Sequence, residues 1–141
     1  MSKNNKVLVL SEDDSRRRDL ITILEFVGEE QVLAGDEALA LLESDDEQTK
    51  ESIGVAVING EDAASTAHVQ RVCKLAQGLP ILLVGDPDLK GVSEDDANRI
   101  IARMEWPLNY TKFVDSLYRA QIYHDQFSRS RERGQQRGVQ L

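Results

Sequence analysis

Five short apolar runs recur along this chain, each followed by a stretch of helical periodicity or polar punctuation. They are KVLVL (6–10), QVLA (31–34), IGVAVI (53–58), PILLVG (80–85) and IIARM (100–104). An apolar run without polar interruption describes a strand buried on both faces. Strands joined through helices rather than tight turns are parallel, because a parallel pair needs a crossover, and such crossovers are right-handed.

The intervening segments supply those crossovers. Asp14 and Ser15 stand where they can cap a first helix, whose apolar residues Leu20, Ile23, Leu24 and Val27 fall at i, i+3, i+4 and i+7, with Gly28 at its end. Asp36 is the expected N-cap of a second helix, DEALALLES. Residues 44–52 read as an acidic loop or frayed helix end. A helix over about 65–77 carries Val69, Val72, Cys73 and Ala76 on one face. Ser93 caps a short acidic turn, Trp106-Pro107 breaks the last strand, and a long helix starts near 110. The order β-α-β-α-β-α-β-(α)-β-α predicts a flavodoxin-like doubly wound fold. Its five-stranded parallel sheet would have the order 2-1-3-4-5, with an extended C-terminal helix.

The chain has 141 residues, enough for one core, and 40% of them are hydrophobic. Seventeen Lys and Arg against 25 Asp and Glu leave a net charge of −8, which argues against a surface for DNA or membrane. No apolar stretch approaches the roughly 20 residues of a membrane helix. A lone cysteine, Cys73, excludes an internal disulfide and reads as a core residue; His68 and His124 read as isolated helix-surface histidines. The default expectation is a soluble cytoplasmic protein. Charge is uneven: residues 1–125 hold 13 basic and 24 acidic side chains, whereas residues 126–141 hold Arg129, Arg131, Arg133 and Arg137 against one Glu. That shift divides the chain into a domain over 1–123 and an extension over 124–141, a helix end passing into an Arg-rich linker. The expected whole is a longer polypeptide.

In a sheet of this kind, chemistry sits beyond the carboxyl ends of the strands. There the sequence holds Ser11-Glu12-Asp13-Asp14, Asn59-Gly60-Glu61, Gly85-Asp86 and Glu105-Trp106-Pro107. With these residues the chain resembles the receiver domains of bacterial response regulators over roughly 5–123. VLVLSEDDSRRRDL is similar to their first strand, acidic cluster and first helix, VAVIN to the phospho-acceptor strand, and MEWPLNYTKFVDSL to the Lys-Pro strand end. A working receiver uses two acids and an acceptor Asp to hold Mg²⁺, with the acceptor as nucleophile and a hydroxyl and a Lys on the phosphoryl group. Carried over residue by residue, the first acid position is Ser11 and the second is Glu12, beside Asp13. The acceptor position is Asn59, the hydroxyl position Gly85 and the Lys position Trp106. Four of the five roles are lost. The resemblance implies a cis peptide at Trp106-Pro107 and no catalytic or metal-binding residue in this chain.

A narrower resemblance rests on SRRRDLITILEFVGE, LPILLVGDP, MEWPLNYTKFVDSLYRAQIY and SRERG. Together they are similar to the N-terminal domains of the FleQ/FlrA-type flagellar master regulators, in the NtrC class of sigma-54 activators. This resemblance implies an AAA+ ATPase domain and a helix-turn-helix domain further along the polypeptide. ATP with Mg²⁺ and cyclic di-GMP would then bind to that missing region. Sigma-54 RNA polymerase and DNA would be met only through it, since no GxxxxGK[ST] loop occurs here. The leading expectation is a non-phosphorylatable, non-enzymatic regulatory domain that controls assembly of the ATPase. The alternatives are a small-molecule sensor using the vacated phospho-acceptor pocket, or a residual phosphoreceiver. The last helix is expected to project beyond the sheet with Tyr118, Ile122, Tyr123 and Phe127 uncovered, forming a homodimer or interdomain contact.

Overall fold

The computed structural model describes residues 5–85 and 89–140, with side chains described as far as Phe127. Strands β1 (Lys6–Leu10), β2 (Val32–Ala34), β3 (Ile53–Asn59), β4 (Ile81–Val84) and β5 (Ile100–Met104) form one parallel sheet in the order β2-β1-β3-β4-β5. Helices α1 (Asp14–Phe26), α2 (Asp36–Leu42), α3 (Glu47–Glu51), α4 (Ser65–Leu75), α5 (Glu94–Ala97) and α6 (Tyr110–Gln140) complete the described elements. The expected fold class, strand order and extended last helix are all present.

Alternate residues of the apolar strands face opposite layers. Leu8, Leu10, Ala56, Ile58, Ile81 and Leu83 meet Ala38 and Leu42 of α2 and Val69, Val72 and Cys73 of α4. Val7, Val9, Val55, Val57, Leu82 and Val84 meet Leu20 and Leu24 of α1 and Phe113, Leu117 and Ala120 of α6. Every residue of β3 and β4 is buried, which is why neither strand alternates polar with apolar residues.

Several local expectations are corrected. The cap of α1 is Asp13, whose Oδ1 accepts from the Arg16 amide at 3.0 Å, rather than Asp14 or Ser15. Asp36 is the first helical residue of α2 and not its cap; Gly35 turns the chain there at φ +62° and ψ −136°, and offers no side chain to bond. Asp36 instead places a negative charge in the first turn, where the helix dipole favours it. Segment 44–52 is a short loop over 44–46 followed by the separate helix α3, which Asp46 caps by accepting from the Gln48 amide and the Thr49 hydroxyl.

The expected Arg-rich linker is helical backbone, continuous with α6 to Gln140; the side chains of Arg129, Arg131, Arg133 and Arg137 lie outside the described residues, as does Asp86. Tyr123 and Phe127 are half-buried rather than uncovered. Phe113, Leu117 and Ala120 define a covered face whose spacing continues to Phe127. Its ring lies against Gly78, where a Cβ would overlap it and where φ is +77°. Tyr118 and Ile122, in contrast, are exposed. His68 and His124 are half-buried, each with one ring nitrogen buried without a hydrogen-bond partner, so neither is a plain surface residue. The Trp106-Pro107 peptide is cis.

Cys73 packs between α4 and the sheet, and burial pushes its thiol up to about 11 from 9.0. At pH 8 the folded chain therefore holds roughly a hundredfold less thiolate than the unfolded chain, and reaction with an aromatic disulfide reagent is expected to be slower by a similar factor. Because the unfolded thiol ionises first, Cys73 leaves stability unchanged below pH 9.0 and lowers it between 9.0 and about 11. Thiol titration with and without urea checks the first point, and melting across that interval the second.

Candidate functional site

The parallel register brings the strand ends together. Leu10 lies beside Ile58, Asn59 beside Val84, and Val84 beside Met104. The residues that follow these strands meet along one edge, and the backbone locks them further. Gly60 N donates to the Val84 carbonyl and Gly85 N to the Met104 carbonyl, both at 2.6 Å.

Asn59 is the centre of this edge and is fully buried. Its Nδ2 donates to Ser11 Oγ at 3.2 Å and to Asp62 Oδ1 at 3.1 Å, and its Oδ1 accepts from the Glu61 amide at 3.1 Å. Asp62 Oδ2 accepts from the Glu12 amide at 2.7 Å, closing the ring back onto the β1–α1 loop. Ser11 Oγ donates in turn to the Asp13 carbonyl. An amide both donates and accepts, so it satisfies all three neighbours; a carboxylate accepts only.

The expected pocket residues therefore occupy one place but do different work. Ser11 and Asn59 are bonded to each other. Glu12 contributes its backbone to the ring while its side chain is exposed. Asp13 is engaged as the α1 cap. Among the described residues, no three His, Cys, Asp or Glu side chains stand together as metal ligands. Gly85, at φ +114°, is not the opening expected from its missing side chain. A Cβ there would lie 3.0 Å from Glu61 N, 3.1 Å from Glu61 Cγ and 3.2 Å from the Gly60 carbonyl carbon. A side chain at position 85 would therefore press on the β3–α4 connection. A shallow depression lies at the other end of the sheet, at the amino ends of β1 and β3, lined by Lys6, Val7, Gly54, Val55, Leu117 and Ala120.

Asp62 and Arg16, which the sequence did not single out, complete the site together with Glu61 of the strand-end motif. Asp62 accepts two hydrogen bonds within it, and Glu61 carries the amide that Asn59 binds. Arg16 donates from Nε to Glu61 Oε1 at 2.9 Å while its guanidinium lies 4.1 Å from the centre of the Trp106 ring. SRRR, with three arginines following an acidic cluster, was the signal available for Arg16; nothing in the sequence separates it from Arg17 and Arg18. His68, in the first turns of α4, is held below its ordinary value by burial, against the opposing charges of Asp62 and Glu12. Its neutral form is thus favoured, and the stability this carries, present above pH 6.5, declines as pH falls below it.

Restoring the receiver's carboxylate tests this arrangement. Asn59→Asp removes both donors and sets a buried charge about 3 Å from Asp62. The expected loss at pH 7 is about 2–4 kcal/mol, by desolvation and like-charge repulsion. Penalties of this kind fall on the ionised carboxyl and raise its folded-state pKa, so the loss is expected to shrink as pH falls from 7 towards about 4, the ordinary carboxyl value. Urea unfolding at pH 7 and pH 4 measures both terms; equal losses at the two pH values would contradict the hydrogen-bond assignment.

With this geometry in hand, known proteins give the context. The family model described as "Flagellar regulatory protein FleQ" matches residues 6–122. Among solved structures, a response regulator receiver domain protein from Clostridium thermocellum superposes with a TM-score of 0.68 at 15% identity. That match covers 87% of this chain and 98% of the other. The response regulator StyR gives 0.71 at 18% identity, over 94% of this chain and 67% of its own. An adenylate cyclase structure from Rhodopirellula baltica gives 0.69 at 18% identity, over 92% and 96%. At such identities these structures share the fold with this chain and nothing further is carried across.

Proposed function

The chain belongs to the FleQ family of flagellar regulatory proteins, and from that membership we propose that it is the non-phosphorylated regulatory domain of a sigma-54-dependent activator. It is a receiver-like domain by fold, and no step of its work is catalytic. In this reading it acts in the cytoplasm and governs the assembly of an AAA+ ATPase domain in the same polypeptide. ATP with Mg²⁺, cyclic di-GMP, sigma-54 polymerase and DNA are contacted by that further region and not by residues 1–123.

One observation carries the loss of phosphorylation: Asn59 is buried, uncharged and bonded on both sides of its amide. An amide offers no carboxylate oxygen to form an acyl phosphate. The close approach of Glu61 to Gly85 favours this reading over a small-molecule sensor in the same pocket. Incubation of the chain with acetyl phosphate and Mg²⁺ is expected to leave its mass unchanged. A stable phosphoryl adduct on any residue of the strand-end edge would refute the proposal.

Assembly would proceed by self-association through α6. The large exposed apolar residues Tyr110, Val114, Tyr118 and Ile122 recur every four residues on one side of that helix, and Phe26 of α1 meets Tyr110 edge to face at 5.7 Å. A surface of this continuity suits a second copy of the same surface across a two-fold axis. The contact thus keeps Tyr118 and Ile122 from the sequence reading and replaces Tyr123 and Phe127 with residues nearer the start of the helix. Sedimentation is expected to show a concentration-dependent mass above the 15.8 kDa monomer. Tyr118→Asp or Ile122→Asp should weaken association by about tenfold or more without unfolding the domain. A mass constant at the monomer value at millimolar concentration would exclude the dimer.

A further inference from the structure

We propose that Arg16 is the pivot of a permanent latch that ties the strand-end edge to the start of α6 and holds the output helix in one orientation without phosphoryl transfer. The proposal rests on the reading that this domain acts through α6. It does not depend on whether Asn59 can be modified.

Arg16 is pinned at its own backbone, because its amide is held by the α1 cap Asp13. From that fixed point its side chain reaches two other connections. Nε donates to Glu61 of the β3–α4 connection, and the guanidinium carbon lies over the ring of Trp106 of the β5–α6 connection. A planar delocalised cation can bond in its plane and stack on its face at once, which a lysine ammonium cannot do. A weaker contact to Asp19, at 3.7 Å, fixes the same group from within α1.

Both far ends of the latch are themselves anchored. Glu61 is held by its amide on Asn59 and by its close packing at Gly85. Trp106 precedes Tyr110, the first residue of α6, by four positions, and packs against the α1–α6 side of the core. Its indole Nε1 is buried without a hydrogen-bond partner. No hydrogen bond from the indole therefore fixes the ring; core packing and the Arg16 guanidinium do. In a phosphorylated receiver the corresponding edge responds to an added anion. Here a carboxylate of the chain, Glu61, already neutralises the cation, so the edge needs no incoming charge to be ordered.

Trp106 is the only tryptophan, so its fluorescence reads the latch alone. The experiment compares the 141-residue chain with Arg16→Gln, Arg16→Lys and Glu61→Gln, using tryptophan emission, acrylamide quenching and amide hydrogen exchange. Arg16→Gln should shift emission to the red and increase quenching. It should also speed exchange over residues 108–114 by roughly threefold to tenfold, the range of one partly exposed ion pair plus one stacked cation. Exchange in β1, β3 and β4 should not change. Arg16→Lys should behave like Arg16→Gln at the ring, because it keeps charge but loses the flat face. Glu61→Gln should give a smaller change of the same sign, and serves if Arg16→Gln does not fold. Unchanged emission and exchange in folded Arg16 variants would overturn the latch, and so would acceleration spread evenly over the whole core. Mass after acetyl phosphate, read on the same samples, separates the two proposals: a phosphoryl adduct sinks the functional reading, whereas an unmoved α6 in an unmodified chain sinks only the latch.

Discussion

The buried amide of Asn59 is the constraint around which the strand-end edge is organised. A polar group wholly removed from water must find partners, and an unsatisfied one costs on the order of 1–3 kcal/mol. Asn59 finds them in Ser11, Asp62 and the Glu61 backbone. Each of these belongs to a connection leaving the sheet, so one side chain sets the relative positions of the β1–α1 and β3–α4 loops. Asp62 then returns the tie to β1 through the Glu12 amide. Nothing in this ring requires a metal or a phosphoryl group for its order, because donors and acceptors are matched within the chain.

The same constraint explains how the acidic cluster is dispersed. Glu12, Asp13 and Asp14 are adjacent in sequence, and in a receiver such residues converge on a cation. Here Asp13 turns to the helix amide of Arg16, Asp14 pairs with Arg17, and Glu12 lends only its backbone. Carboxylates at a helix amino terminus are favoured by the unpaired amides there, which gives the cluster a structural use. Arg16 completes the change of purpose by joining Glu61 and Trp106.

Much of this was legible before any coordinates. Runs such as IGVAVI and PILLV identify doubly buried strands because only a covered parallel sheet tolerates them, and the helical segments between them dictate the crossovers. Positions Ser11, Asn59, Gly85 and Trp106 were also legible as strand-end residues. Less legible was what fills the pocket. Glycine at position 85 suggests space in a sequence; in the fold it marks the close approach of Glu61 and a backbone at φ +114°. The helix caps were displaced by one residue at α1 and lost at α2, because cap choice depends on backbone angles that neighbouring acidic residues leave open.

The sequence by itself determined the fold class, the strand order and the absence of a carboxylate at position 59, since periodicity and residue type are properties of the chain. Tertiary structure alone decided which partners Asn59, Arg16 and Phe127 would have. Asn59 and Ser11 are 48 residues apart, Arg16 and Glu61 45 apart. Phe127 reaches Gly78 across the foot of the sheet. Side-chain hydrogen bonds, ion pairs and ring contacts act over a few ångströms. Whether two distant residues come that close is set by the register of the strands and the docking of the helices, and no local pattern encodes either.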